Sequence, residues 1–300
     1  MTVGLARFGV TMMTQEGELA GKDCPLEVRG GFVAREWLQA NLDHPALRIL
    51  QVGGEKYFDR YHLPGAIQVR YSDLVTSRDG VPGMVADTDV LSALFSGLGI
   101  DAGTLVVAYD PTGGLDAARL VWTLATLGHE RAVVLDGGLV GWVQAGLSTG
   151  GGPVGVEPGA FVARATPEVT ADWERVLAVV EKRLEAELID TRSRNEYVGT
   201  TLRGPRGHIP GASHWEWTES LRGPQDPHLL DRELLLQRLA RIGIEDRERE
   251  MILYCQTAHR AAQSWLLLRH LGFLRVRLYD GSMAEWGGRG LPLVAGEFPG

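Results

Sequence analysis

The stretch EMILYCQTAHRAAQSWLLLRHL, Glu250 to Leu271, joins an apolar run to a helical pattern through a short loop that begins with a cysteine. Glu250 to Tyr254 reads as a buried strand and Ala258 to Leu271 as a helix, with Cys255 at the carboxyl end of the strand. Working outward, Glu187 to Asp190 reads as a strand and Asp231 to Arg241 as a helix opened by an aspartate. Val276 to Tyr279 follows as a strand and Ser282 to Trp286 as a last helix. Strands that alternate with helices predict a mainly parallel sheet covered on both faces, an α/β fold whose ligands bind beyond the carboxyl ends of the strands.

The same order occurs earlier in the chain, at Ile49 to Val52, Asp89 to Leu98, Leu105 to Tyr109, Leu115 to Leu127 and Ala132 to Leu135. His62-Leu63-Pro64-Gly65-Ala66 returns 146 positions later as His208-Ile209-Pro210-Gly211-Ala212. Leu135-Asp136-Gly137-Gly138 with Trp142 returns 144 positions later as Tyr279-Asp280-Gly281-Ser282 with Trp286. Between them, Tyr109-Asp110 lies on Tyr254-Cys255 at an offset of 145. The chain is therefore an internal duplication. Its expected parts are a tail or strap over 1–30, a domain over 31–146, a linker over 147–166 rich in glycine and proline, and a second domain over 167–300. Three hundred residues suffice for two cores at about 150 residues each.

Composition narrows the classes of function. A net charge of -8 and a pI near 5.5 give phosphate backbones no long-range attraction, so no nucleic-acid partner is expected. A mean hydropathy of -0.06, with no long apolar run free of glycine and proline, predicts no membrane span. Two cysteines, Cys24 and Cys255, make no disulfide framework, and the first residues lack a basic and then apolar leader, so a reducing cytoplasm is the expected location. No spacing of His, Cys, Asp or Glu suggests a metal, and no cofactor is expected.

Cys255 carries the chemistry in this reading. A thiol at a strand end, facing the loop amides and the amino end of the next helix, sits where thiolate and bound anions are stabilised. A Brønsted slope of about 0.4 to 0.5 returns part of any gain in thiolate as lost nucleophilicity. The larger share of rate should come from amides aimed at developing charge, where one donor is worth about 3 kcal/mol. Asp110, at the matching place in the first half, has no thiol to offer.

These residues resemble the tandem-domain rhodaneses, sulfurtransferases in which the second of two rhodanese-like domains holds the cysteine. The resemblance runs from about Gly31 to Leu293. It rests on Val33 with Trp37, both His-x-Pro-Gly-Ala segments, Asp190-x-Arg192 with Tyr197 and Gly199, the Cys255 loop, and both Asp-Gly segments with their tryptophans. It implies two rhodanese-like domains, each a mainly parallel sheet flanked by helices, and a ping-pong transfer. Cys255 takes the outer sulfur of a small anionic donor, thiosulfate first and 3-mercaptopyruvate second, and passes it from a persulfide to cyanide or a thiol, with a thioredoxin-like protein as a candidate acceptor.

The resemblance also assigns supporting residues. The loop Gln256, Thr257, Ala258, His259 and Arg260 would bind the donor, and it resembles the Cys-Gln-Thr-His-His-Arg loop of certain bacterial members with Ala258 at the first histidine. Its C-x4-R length resembles the sulfur-transferring size, whereas related phosphatases and arsenate reductases, the second choice, carry C-x5-R. A non-catalytic sulfur-carrier or regulatory module is the third. Arg192 is expected to hold the anionic end of the donor or to pair with Asp190 or Glu196. Arg260 is expected to do the same or to anchor the loop to Glu196. Trp217 is expected as an aromatic wall beside the cysteine, or as interdomain packing with Trp215. His259 is read as a proton-transfer aid or a solvent-facing loop residue, His62 and His208 as structural, and Cys24 as incidental. A pair of domains within one chain makes a monomer the expected state.

Overall fold

The computed structural model describes residues 26–28, 30–152, 154–202 and 204–300. Cys24 and most of the expected tail or strap lie outside the described residues.

The first half contributes seven strands, β1 (Phe32–Val33), β2 (Leu47–Val52), β3 (Ile67–Val69), β4 (Val75–Arg78), β5 (Val81–Val85), β6 (Leu105–Tyr109) and β7 (Ala132–Leu135). Its helices are α1 (Arg35–Asn41), α2 (Glu55–Phe58), α3 (Thr88–Gly97), α4 (Leu115–Thr126) and α5 (Gly138–Gln144). The second half repeats them as β8 (Thr170–Ala171), β9 (Glu187–Asp190), β10 (Ala212–His214), β11 (Leu221–Gly223), β12 (Asp226–Leu229), β13 (Met251–Tyr254) and β14 (Val276–Tyr279). Its helices are α6 (Trp173–Val180), α7 (Arg194–Val198), α8 (Arg232–Ala240), α9 (His259–Leu271) and α10 (Ser282–Gly288).

Each half builds a five-stranded sheet, β1-β7-β6-β2-β3 and β8-β14-β13-β9-β10, in which every pairing is parallel. The two orders are the same element for element, as duplication requires. The strands that the apolar runs predict fall in the sheet centres, where all four residues of β7 and β13 and all five of β6 are buried on both sides. The two-residue edge strands and the antiparallel hairpins β4–β5 and β11–β12 have no apolar run to mark them in the sequence.

The halves meet through α4 and α9, the helices that follow Asp110 and Cys255. Both are buried along most of their length, and side chains of both domains merge there into one apolar cluster with Val121, Trp122, Leu124, Trp265 and Leu266. Separate clusters fill the outer faces of the two sheets. Each hairpin also reaches across. The β12 residue Leu229 donates its N–H to Asp136 Oδ1 of the first domain at 2.9 Å, and the β5 residue Val85 donates to Asp280 Oδ2 of the second at 2.7 Å. The molecule has an approximate two-fold relation, and each Asp-Gly turn is held by the other domain's hairpin.

The histidines of the two Pro-Gly turns follow the same relation. His62 and His208 are buried, bond through Nδ1 to the carbonyls of Phe58 and Tyr197, and stack on the rings of those residues. Both lie inside their own domains. The described part of 147–166 carries no named helix or strand and runs back over the first domain, with Gly159 and Arg164 bonded to Ser96 and Leu127. No helix among the described residues is long and apolar enough to cross a membrane.

Candidate functional site

Cys255 lies at the carboxyl end of the central strand β13, as the parallel topology requires. The loop turns through Ala258, which caps α9 in the left-handed region at φ 58° and ψ 0°. A non-glycine residue in that region costs roughly 1 to 2 kcal/mol, so surrounding contacts must fix it. Ser282 does so. Its hydroxyl accepts the N–H of Cys255 at 3.2 Å and of Ala258 at 3.1 Å while donating to the Tyr279 carbonyl. Met283 and Ala284 then donate to the carbonyls of Cys255 and Gln256. The first turn of α10 thus clamps the loop, leaving the amino end of α9, whose first N–H groups have no intrahelical partners, facing the cysteine.

The first domain shows what such a loop binds. Asp110 occupies the Cys255 position, and its buried carboxylate accepts N–H bonds from Thr112 at 2.7 Å, Gly114 at 2.9 Å and Ala117 at 2.9 Å. Burial pushes the Asp110 carboxyl up, and those N–H groups pull against the shift. Ala117 is the third residue of α4, and Ala261 is the third residue of α9. The Asp110 loop is therefore a cradle of N–H groups closed on its own side chain. The Cys255 loop is one residue shorter, its Ala258 N–H, at the Gly114 place, already bonds to Ser282, and the Ala261 N–H remains at the place of Ala117 beside a thiol that is 1% exposed.

Arg260, the second residue of α9, makes a bidentate pair with Glu196, Nη1 to Oε2 at 2.6 Å and Nη2 to Oε1 at 2.8 Å. Glu196 also caps α7 through Ser193, so one carboxylate ties α7 to the start of α9 beside the Cys255 loop. Burial works against the Glu196 charge, but the bonds from Arg260 and Ser193 outweigh it and hold the carboxyl at about 2. Burial works against Arg260 too, and Glu196 and Cys255 more than restore it. Arg260 both anchors the loop and stands within reach of the sulfur.

A pH test follows. A carboxyl depressed in the folded state contributes stability above its ordinary value of 4.5, which is lost as pH falls toward 2. Wild type should resist urea better than Glu196→Gln at pH 6, and the margin should shrink below pH 4.5 and vanish near pH 2. A margin that does not change with pH would remove the ion pair from the account.

Three residues expected to touch the donor have other partners in the structure. Arg192 is 1% exposed and spends Nε and Nη2 on Asp190, at 2.6 to 3.1 Å, and on the Gly207 carbonyl at 2.7 Å. It is the buried ion pair rather than a free cation for the donor. His259 is partly exposed, and its Nε2 lies 2.7 Å from Asp116 Oδ1 of α4, across the domain boundary. Trp217 packs across the domain boundary. With Leu221 and Pro227 it closes on Gly113 of the Asp110 loop, at the edge of a cavity of about 500 Å³ also lined by Pro111 and Val140.

The aromatic residue over the Cys255 loop is Tyr71, which the sequence reading missed. Its ring lies on that of His259 with centroids 4.4 Å apart. Burial raises its phenol most, Arg119 opposes, and Cys255, Asp116 and Asp280 add, so that it is pushed up to about 12 and keeps its proton. Tyr71 precedes Trp217 by 146 positions, the offset of the repeat, which is the signal that could have found it. Behind it, Arg119 is fully buried, bonds to the Gly83 carbonyl and to Asp280, and stacks over Trp122. Gly83 of β5 in turn presses on Thr257, where a Cβ would come within 2.9 Å of the threonine Cβ. Gln256 points its amide toward Gly204.

Residues 34–145 and 176–289 both match the family model described as a rhodanese-like domain. The chain is 32% identical to the thiosulfate sulfurtransferase of Azotobacter vinelandii, across 83% of its own length and 91% of the relative's. It is 30% identical to the sulfur carrier protein TtuD of Thermus thermophilus, across 89% and 97%. It is 29% identical to the 3-mercaptopyruvate sulfurtransferase of Escherichia coli, across 86% and 95%. The crystal structure of SseA from Escherichia coli, a 3-mercaptopyruvate sulfotransferase, superposes with a TM-score of 0.76 at 27% identity, covering 84% of this chain and 98% of that one.

Proposed function

Because this chain belongs to the rhodanese family, as two rhodanese-like domains in one polypeptide, we propose that Cys255 carries sulfur as a persulfide from thiosulfate to a thiol acceptor. The chain is a sulfurtransferase of the rhodanese type. The observation that supports Cys255 as its carrier is the Asp110 carboxyl in the corresponding loop, where three N–H groups converge on the side chain that leaves the strand end.

The thiolate attacks the outer sulfur of the donor, a sulfur-sulfur bond forms to Cys255, and the bond to the sulfonate sulfur breaks with its electron pair leaving on sulfite. The persulfide anion then takes the place that Asp110 fills in the first domain. Amides at the start of α9 meet its charge, and Arg260, held by Glu196, adds a fixed positive charge beside it. An acceptor thiolate, or cyanide in an assay, attacks the outer sulfur and returns the Cys255 thiolate. Since Cys255 is 1% exposed, the covering residues must shift for the donor to enter. A reduced thiol is needed for every turnover, which fits a cytoplasmic location, and the apolar interface within the chain fits a monomer.

Thiosulfate is preferred over 3-mercaptopyruvate in this reading because the relatives named for thiosulfate are the more similar ones. Thiocyanate formation from cyanide, measured with each donor in turn, tests it. The expected result is a higher kcat/KM with thiosulfate, and a higher value with 3-mercaptopyruvate would reverse the assignment.

A further inference from the structure

Tyr71 and Trp217 are counterparts in the repeat, each opens a short 3-10 turn, and each packs against the loop of the other domain. Trp217 of the second domain lies on the Asp110 loop, and Tyr71 of the first lies on the Cys255 loop. Asp116, from the first turn of α4, fixes the His259 ring on which Tyr71 rests. The Tyr71 hydroxyl has no hydrogen bond among the described residues, and the charges that bear on it are those of Arg119, Cys255, Asp116 and Asp280. A hydroxyl left without a protein partner beside these charges is free to donate to a ligand that enters.

We infer that the cysteine-free domain completes the Cys255 site, with the Tyr71 hydroxyl donating a hydrogen bond to the sulfur that Cys255 receives and with Asp116 and His259 as positioning residues that hold the phenol there. The inference rests on the sulfurtransferase reading. As the bond between the donor's two sulfur atoms breaks and its electron pair leaves on sulfite, the negative charge that the transferred sulfur shared with the sulfonate oxygens becomes localised on that one atom in the persulfide. The phenol meets that charge without giving up its proton. In the other cleft no such donor is needed, because backbone N–H groups already satisfy Asp110, and the counterpart Trp217 carries no hydroxyl.

Single-turnover loading with thiosulfate, followed by intact mass, separates the possibilities for wild type, Tyr71→Phe, Asp116→Asn and the double variant. Phenylalanine keeps the ring on His259 and removes only the hydroxyl. The loading rate at saturating donor should fall roughly tenfold to a hundredfold in Tyr71→Phe, the size expected for losing a hydrogen bond to a charged group. The half-saturating donor concentration and the fraction of chains that load should stay within about twofold of wild type. The double variant should be no slower than Tyr71→Phe, since Asp116 acts through the phenol. A Tyr71→Phe chain that loads at the wild-type rate, one that loads fewer chains at the wild-type rate, or a double variant whose losses multiply would overturn the inference. A wild type that gains no sulfur would instead overturn the sulfurtransferase reading on which it rests.

Discussion

A Cys255→Ser chain is expected to fold as wild type does and to form no measurable thiocyanate from thiosulfate and cyanide. Serine fits the same buried site, and the donors that surround the sulfur can satisfy its hydroxyl. Its oxygen, however, is not ionised near neutral pH and cannot carry the transferred sulfur, so the loss should exceed about a thousandfold. Asp110 cannot take over, because its carboxylate is already closed on three N–H groups and has no sulfur to exchange. A variant that kept a tenth of the wild-type rate would put the chemistry elsewhere in the molecule. Equal urea midpoints for the two proteins would show that the loss is chemical.

Arg192→Ala should act in the opposite way, on stability and hardly on the donor. The Arg192 guanidinium and the Asp190 carboxylate are both fully buried, and Asp190 takes the Arg192 backbone N–H as well as the side-chain bonds. Removing the cation leaves a buried carboxylate without its counter-charge and an empty volume beside β9. Breaking a buried pair in this way costs about 3 to 5 kcal/mol. Urea unfolding should show a loss of that size. At a temperature where the variant is still folded, its KM for thiosulfate should stay within about twofold of wild type. A tenfold rise in KM with unchanged stability would return Arg192 to the donor site.

What the sequence reveals and what it conceals divide along the domain boundary. The central strands β6, β7, β9, β13 and β14 read directly from apolar runs, since a parallel strand buried on both faces has no other composition available. The place of Cys255 followed from strand, loop and helix in sequence order, a local relation. The hairpins gave no periodic signal, because their residues are partly exposed and they reach to the partner domain, and the two-residue edge strands are too short to show one.

The site residues divide in the same manner. Arg260 and Glu196 are 64 positions apart, and their pairing was one of two stated options, which only the geometry could separate. Arg192 posed a similar choice, settled by its burial. For Trp217, too, both options were open, and the contact across the domain boundary is the one the structure makes. The two-fold exchange of hairpins and aromatic residues exists only once the domains pack, and it brings Tyr71, Gly83, Asp116 and Arg119 of the cysteine-free half around a thiol more than 130 residues away. The first domain is more than a relic in this arrangement, since it forms one wall of the cleft and holds the Asp280 turn that leads to the Ser282 clamp.

The central claim is that Cys255 holds the sulfur in transit. Its most direct test is the intact mass of the reduced protein before and after incubation with thiosulfate, followed by peptide mapping. The account predicts a gain of one sulfur atom per chain, located on the peptide that contains Cys255 and removed by cyanide. An unchanged mass, or a sulfur located on Cys24, would contradict it.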